Sequence, residues 1–122
     1  MIILIAEDNA ISRVITQKSV ERLNYKALVA DNGQKAWEMY CKSQPDVVIS
    51  DWMMPELDGV ALCKRIREQP GPSYTYFILL TTLGDKQHFM AGMLAGADDY
   101  LRKPLDRDEL QVRLVAASRV TS

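Results

Sequence analysis

Five residues able to do chemistry stand at the ends of short apolar runs. Glu7 and Asp8 follow Ile2–Ala6, Asp51 follows Val47–Ser50, Thr81 closes the run 77–81, and Lys103 follows Asp99–Arg102. Three carboxylates brought within a few ångströms repel one another and raise at least one pKa unless a cation sits among them. An all-oxygen pocket that stays partly open to water suits Mg²⁺, or Mn²⁺ in its place, because the ion keeps several waters and takes one or two carboxylates directly. The formal charges balance: Glu7, Asp8 and Asp51 carry -3, and a divalent ion with Lys103 carries +3. Metal, lysine and hydroxyl also suit phosphoryl transfer, which needs positioning and charge neutralisation more than covalent help. A carboxylate supplies the acceptor. Taken alone, Asp51 reads as a loop-capping aspartate; in the company of the other four it reads as the acceptor.

These residues can meet only if the elements between them bring the strand ends together. The runs Ile2–Ala6, Val47–Ser50 and 77–81 do not alternate with polar residues, so each predicts a strand buried on both faces, as in parallel sheets covered by helices. Lys26–Ala30 and Asp99–Arg102 are weaker strand candidates. Helical spacing links them: Ile11, Val14 and Ile15; Ala36, Trp37 and Tyr40; Leu62, Cys63 and Ile66; Met90, Met93, Leu94 and Ala97; Leu110, Leu114 and Ala117. The Met90 stripe is expected to pack in the core. Asp58 is expected to cap the third helix, and Asp106 with Glu109 resembles a capping box for the last. The order is β-α five times over, an α/β doubly wound sheet with helices on both faces. In such sheets ligands bind outside the carboxyl ends of the strands, where strand order reverses. Pro70-Gly71-Pro72-Ser73 is expected as a loop before the fourth strand, not a linker, and 1–122 as one domain.

Composition narrows the function classes. The 122 residues suit one domain with a real core. A net charge of -1 lacks the basic surplus that grips a phosphate backbone, so no direct nucleic-acid binding is expected. The run Ile2–Ala6 is too short for a membrane span or a leader, so no membrane association and a cytoplasmic location are expected. Cys41 and Cys63 lack zinc or redox spacing and are expected as buried structural thiols. His88, alone, is expected as a solvated helical histidine, and Tyr74 and Tyr76 as loop packing.

The chain resembles the receiver domains of two-component response regulators over essentially its whole length. The resemblance rests on Glu7-Asp8-Asn9, Asp51 with Met54-Pro55 and Asp58-Gly59, Leu80-Thr81, Ala95-Gly96-Ala97-Asp98-Asp99-Tyr100, and Lys103-Pro104. Thr81 lies 30 residues after Asp51 and Lys103 another 22 on, the family's spacing. It implies a flavodoxin-like five-stranded parallel sheet, (βα)5, with strand order 2-1-3-4-5. It implies that Asp51 takes a phosphoryl group from a phosphohistidine on a sensor histidine kinase or phosphotransfer protein, the receiver supplying the catalytic groups for its own phosphorylation and dephosphorylation without being a conventional enzyme. Asp8, Asp51 and the Met53 carbonyl would bind Mg²⁺ directly. Glu7 stands where the family often has Asp and would act through water. Lys103, the Thr81 hydroxyl and the backbones of Trp52 and Thr82 would meet the phosphoryl oxygens, and Pro104 would follow a cis peptide.

By the same resemblance, the Thr81 hydroxyl swings to the phosphoryl group and vacates space for Tyr100. Output then appears on the surface of helix 4, strand 5 and helix 5, toward an output domain, a partner protein or a second copy in a homodimer. Thr82 replaces a smaller residue and narrows access to Asp51. Met53 and Leu83 cannot hydrogen-bond an attacking water through their side chains, so a long-lived phosphoryl state is expected. Trp52 either reports metal binding or packs over its loop. The last helix runs to the chain end without a Gly or Pro stop, which leaves open a piece of a longer regulator and a stand-alone receiver.

Two rivals fare worse. A phosphatase of the haloacid dehalogenase type would carry Asp-x-Asp after the first strand, where this chain has Glu7-Asp8-Asn9. A flavin mononucleotide module would need a glycine- or hydroxyl-rich phosphate loop there, and Glu7 and Asp8 would repel that phosphate.

Overall fold

The computed structural model describes residues 1–69 and 71–121; Pro70 of the expected loop and the terminal Ser122 lie outside the described residues. Five strands and five helices alternate: β1 (Ile2–Ala6), α1 (Ala10–Arg22), β2 (Lys26–Ala30), α2 (Gly33–Ser43), β3 (Val47–Ser50), α3 (Gly59–Glu68), β4 (Tyr76–Thr81), α4 (Lys86–Leu94), β5 (Asp99–Arg102) and α5 (Arg107–Thr121). All pairings are parallel and the order is β2-β1-β3-β4-β5, as the resemblance to receiver domains implies. An open parallel sheet of this order is flavodoxin-like.

The sheet separates two cores because successive side chains point to opposite faces. Leu4, Ala6, Val48, Phe77 and Leu79 face α2 and α3, where they meet Ala36, Tyr40, Leu62, Cys63 and Ile66. Ile3, Ile5, Val47, Ile49, Ile78 and Leu80 face the other way, onto Val20 of α1 and Leu110, Leu114 and Ala117 of α5. Each fully buried Leu or Ile contributes roughly 1.5–3 kcal/mol relative to exposure. Burial on both faces explains why β1, β3 and β4 show no alternation.

The helix caps follow the sequence. Asp58 accepts the Ala61 N–H at 2.7 Å, and Asp106 accepts those of Asp108 and Glu109. Asn9, Asn32 and Asp85 cap α1, α2 and α4 in the same way.

Three expectations are corrected. The Met90 stripe faces the core only in part: Ala97 and the partly buried Met93 pack there, but Met90 is half-exposed and Leu94 is 84% exposed. The buried residue of α4 is Gly92, where an added Cβ would lie 2.8 Å from Leu79 and 3.3 Å from the Tyr100 ring. Met90 and Leu94 each stand two residues from Gly92, about 200° round the helix, so close approach at Gly92 turns them outward. Cys41 is exposed while Cys63 is buried, its thiol pushed up to about 11 by that burial. Tyr76 belongs to β4, not to a loop, and its hydroxyl donates to Asp99 on β5. Ile11, Val14 and Ile15 also point outward; α1 packs instead through Thr16, Ser19 and Val20.

Candidate functional site

The ladders run one residue past the strands and thereby set the site. The Glu7 N–H donates to the Ala30 carbonyl at 3.0 Å, the Asp51 N–H to the Ala6 carbonyl at 3.0 Å, and the Lys103 N–H to the Thr81 carbonyl at 2.9 Å. Strand order reverses on either side of β1, so Glu7, Asp8 and Asp51 meet at the switch point. Carboxylate oxygens of these three residues lie within 4.8 Å of one another.

Lys103 holds two of them. Its Nζ donates to Glu7 Oε1 and, at 2.8 Å, to Asp51 Oδ2. The other Asp51 oxygen, Oδ1, accepts the Trp52 N–H at 2.6 Å. Glu7 is 3% exposed, and its Oε2 accepts the Asn9 N–H. Burial raises the Glu7 pKa, the Lys103 hydrogen bond offsets part of that, and the nearby Asp51 charge adds to it. Burial works against the charged form of Lys103, but its bonds to Asp51 and Glu7 outweigh burial and raise its pKa. The Lys103–Pro104 peptide is cis.

Asp8 differs from its neighbours. Its side chain is exposed, and among the described residues its carboxylate accepts no hydrogen bond. It opens onto a cleft of about 520 Å³ lined also by Trp52, Met53, Met54, Asp58, Leu83 and His88. The acids with Lys103 leave a charge of -2 beside open water. An all-oxygen donor set of that charge fits a hard divalent cation.

Thr81 and Tyr100 meet on one residue. The buried Thr81 Oγ1 accepts the Leu83 N–H at 3.3 Å, and the Tyr100 hydroxyl donates to the Leu83 carbonyl at 2.5 Å. The Tyr100 ring is half-buried, edge-on to Trp52 at 6.3 Å and to Phe89 at 5.5 Å. Thr82 is exposed, as is Met53 at 66%.

Sequence reasoning missed three contributors. His88 is not simply solvated: Asp85 holds its Nδ1 at 2.5 Å, and its ring meets Trp52 edge-on at 5.0 Å. Asp58, read only as a cap, also lines the cleft. Arg13 donates to the carbonyls of Glu7 and Asp8 at 3.0 and 3.3 Å. Its one visible signal is a cation in the first turn of α1, the end of a helix that disfavours positive charge.

A family model described as the response regulator receiver domain matches residues 3–115. The probable transcriptional regulator ycf27 of Guillardia theta is 38% identical over 120 residues, covering 98% of this chain and 46% of its own length. The phosphate regulon transcriptional regulatory protein PhoB of Pseudomonas aeruginosa is 34% identical over 119 residues, covering 98% and 52%. This chain thus spans about half the length of the curated relatives it matches. Among solved structures, the receiver domain of the Francisella response regulator 1452 superposes with a TM-score of 0.89 at 32% identity, covering 97% of this chain and 96% of that one. The receiver domain of the sensor histidine kinase PA1611 from Pseudomonas aeruginosa PAO1, solved with a magnesium ion coordinated in its active site cleft, gives 0.85 at 28%, covering 98% and 95%. The family match runs from the second residue of β1 into α5 and touches all ten elements, so the chain belongs to the receiver domains of two-component response regulators.

Proposed function

We propose that this receiver takes a phosphoryl group on Asp51 from a phosphohistidine of a sensor histidine kinase or phosphotransfer protein. The observation that carries the reading is the Asp51 carboxylate itself, held through Oδ2 by Lys103 and flanked by Asp8 and Glu7 at the mouth of an open cleft. In the transfer the phosphorus–nitrogen bond of the donor breaks, a phosphorus–oxygen bond forms on an Asp51 oxygen, and the imidazole leaves. Lys103 already stands on Asp51 and balances charge that develops on the phosphoryl oxygens. The Trp52 and Thr82 N–H groups and the Thr81 hydroxyl are the further donors of this reading.

Asp8, Asp51 and the Met53 carbonyl would hold Mg²⁺ or Mn²⁺, which when bound neutralises phosphoryl charge. Both Glu7 oxygens have protein partners in Lys103 and Asn9, which supports a role for Glu7 through water. The reaction is the receiver's own phosphorylation and dephosphorylation, within a regulatory module.

Output follows from Leu83. When the Thr81 hydroxyl turns to the phosphoryl group it releases the Leu83 N–H, while Tyr100 keeps hold of the Leu83 carbonyl. The β4–α4 segment then shifts with Tyr100, on the face of α4, β5 and α5 that would meet an output domain, a partner or a second copy. Relatives about twice the length support a place for residues 1–122 as the receiver unit of a longer, cytoplasmic regulator. No described helix is long and apolar enough to cross a membrane.

The test is mass spectrometry after incubation with acetyl phosphate and Mg²⁺. The wild-type chain should gain one phosphoryl group and Asp51→Asn none; equal labelling of both would overturn the assignment. For the switch, Tyr100→Ala should uncouple partner affinity from phosphorylation, and unchanged coupling would remove Tyr100 from it.

A further inference from the structure

Arg13 sits where helix electrostatics gives no reason for it. It lies in the first turn of α1, a turn with no acidic residue, and a cation there opposes the helix dipole. Among the described residues its guanidinium makes no salt bridge; its acceptors are the backbone carbonyls of Glu7 and Asp8. Those two carbonyls belong to the peptides on either side of the Asp8 Cα. The second of these peptides is also held through its N–H, which Asn9 donates to Glu7 Oε2. The Glu7 N–H is fixed in turn on the Ala30 carbonyl.

Asp8 is thus held entirely by its backbone, and its exposed carboxylate takes no hydrogen bond among the described residues. A side-chain bond would have fixed the carboxylate but occupied an oxygen that a cation needs. Bonds to the flanking peptides fix the Cα–Cβ direction and leave both oxygens free. We propose that Arg13 is a positioning residue for the cation site, clamping the peptides around Asp8 so that its carboxylate faces Asp51. The proposal rests on the reading that Glu7, Asp8 and Asp51 hold a divalent ion.

Charge and position predict opposite signs, which makes the proposal testable. If Arg13 acted only as a nearby positive charge, removing it would tighten Mg²⁺ binding by relieving repulsion. If it positions Asp8, removing it weakens binding, as loss of a partner outside the ligand shell does, by about 10-fold or more. Isothermal titration with Mg²⁺ alone would compare the wild-type chain, Arg13→Gln, Arg13→Lys and Asp8→Asn, each with its urea midpoint in EDTA. The expected result is weaker binding in Arg13→Gln, and weaker binding than wild type in Arg13→Lys too, since lysine keeps the charge but its side chain ends one bond short of the Nη1 that makes both hydrogen bonds. A destabilised variant that binds Mg²⁺ as tightly as wild type would reduce Arg13 to a structural residue. Tighter binding in Arg13→Gln, or Arg13→Lys equal to wild type, would overturn the proposal in favour of charge. If Asp8→Asn abolishes binding and Arg13→Gln does not weaken it, the cation site stands and the positioning role falls. If the wild-type chain binds no Mg²⁺, both fall.

Discussion

Replacing Gly59 by alanine tests how tightly α3 is seated against the acceptor. Gly59 opens α3, and its N–H donates to the Trp52 carbonyl at 2.7 Å. A Cβ there would lie 2.0 Å from the Asp51 carbonyl oxygen and 3.0 Å from Ser50 Oγ, whereas ordinary contact begins at 3.4 Å. The obstructing atom is backbone, already tied to the Ser50 hydroxyl, so the methyl group and the carbonyl must part by more than an ångström. Overpacking of this kind costs about 1–3 kcal/mol. Displacing a reacting group by ~1 Å costs about 10²-fold in rate. Gly33→Ala is the matched control: its Cβ would lie 1.7 Å from the Leu57 carbonyl oxygen, in the same connection but away from Asp51. Urea denaturation should show comparable losses of stability in the two variants. The initial rate of labelling by acetyl phosphate should fall about 100-fold in Gly59→Ala and only a few-fold in Gly33→Ala. Equal losses of labelling, or a Gly59→Ala protein as stable as wild type, would refute the reasoning.

Other expectations follow from the same geometry. Met53→Asn with Leu83→Glu supplies hydrogen-bonding groups at the cleft and should shorten the phosphoryl lifetime by about 10-fold or more, measured as decay of the phosphorylated mass; an unchanged lifetime would count against water access as the control. Arg67 bonds the carbonyls of Thr75 and Gly96 and the Asp98 carboxylate at the opposite end of the sheet. Arg67→Met should therefore cost about 3 kcal/mol in urea denaturation while sparing Mg²⁺ affinity, and a parallel loss of affinity would contradict that separation. Burial and Asp99 raise the Tyr76 phenol well above its usual 10, and burial and Asp98 raise Tyr74 to about 12. Above pH 10 the unfolded chain releases these protons while the native chain keeps them, so stability falls as pH rises toward the folded values. Tyr76→Phe should flatten that fall between pH 9 and 11, and an undiminished slope would show that Tyr76 does not carry it.

The fold was legible because burial on both faces leaves a plain mark: β1, β3 and β4 are unbroken apolar runs, and the motif residues stand just beyond them. Leu62, Cys63 and Ile66, like Leu110, Leu114 and Ala117, also announced their faces, since a helix lying on a sheet needs one continuous apolar stripe. The same rule misplaced α4. There the buried position is Gly92, which has no side chain to register as hydrophobic, and of the expected stripe only Met93 and Ala97 reach the core while Met90 and Leu94 lie on the solvent side. The Cys41 thiol escaped for a related reason, because residue type records a preference for burial and only the packed helix decides which flank it occupies.

At the site, sequence by itself determined which residues stand at the strand ends: Glu7, Asp8, Asp51, Thr81 and Lys103, with their summed charge. Spacing from strand to strand carries that information because a parallel sheet puts every carboxyl end on one edge. Only the tertiary structure decided the pairings. Lys103 bridges Glu7 and Asp51, Thr81 and Tyr100 share the peptide groups of Leu83, and Arg13 reaches back to the carbonyls around Asp8. Such bonds depend on backbone groups and on rotamers set by distant packing, and backbone carbonyls are the same at every position of a sequence.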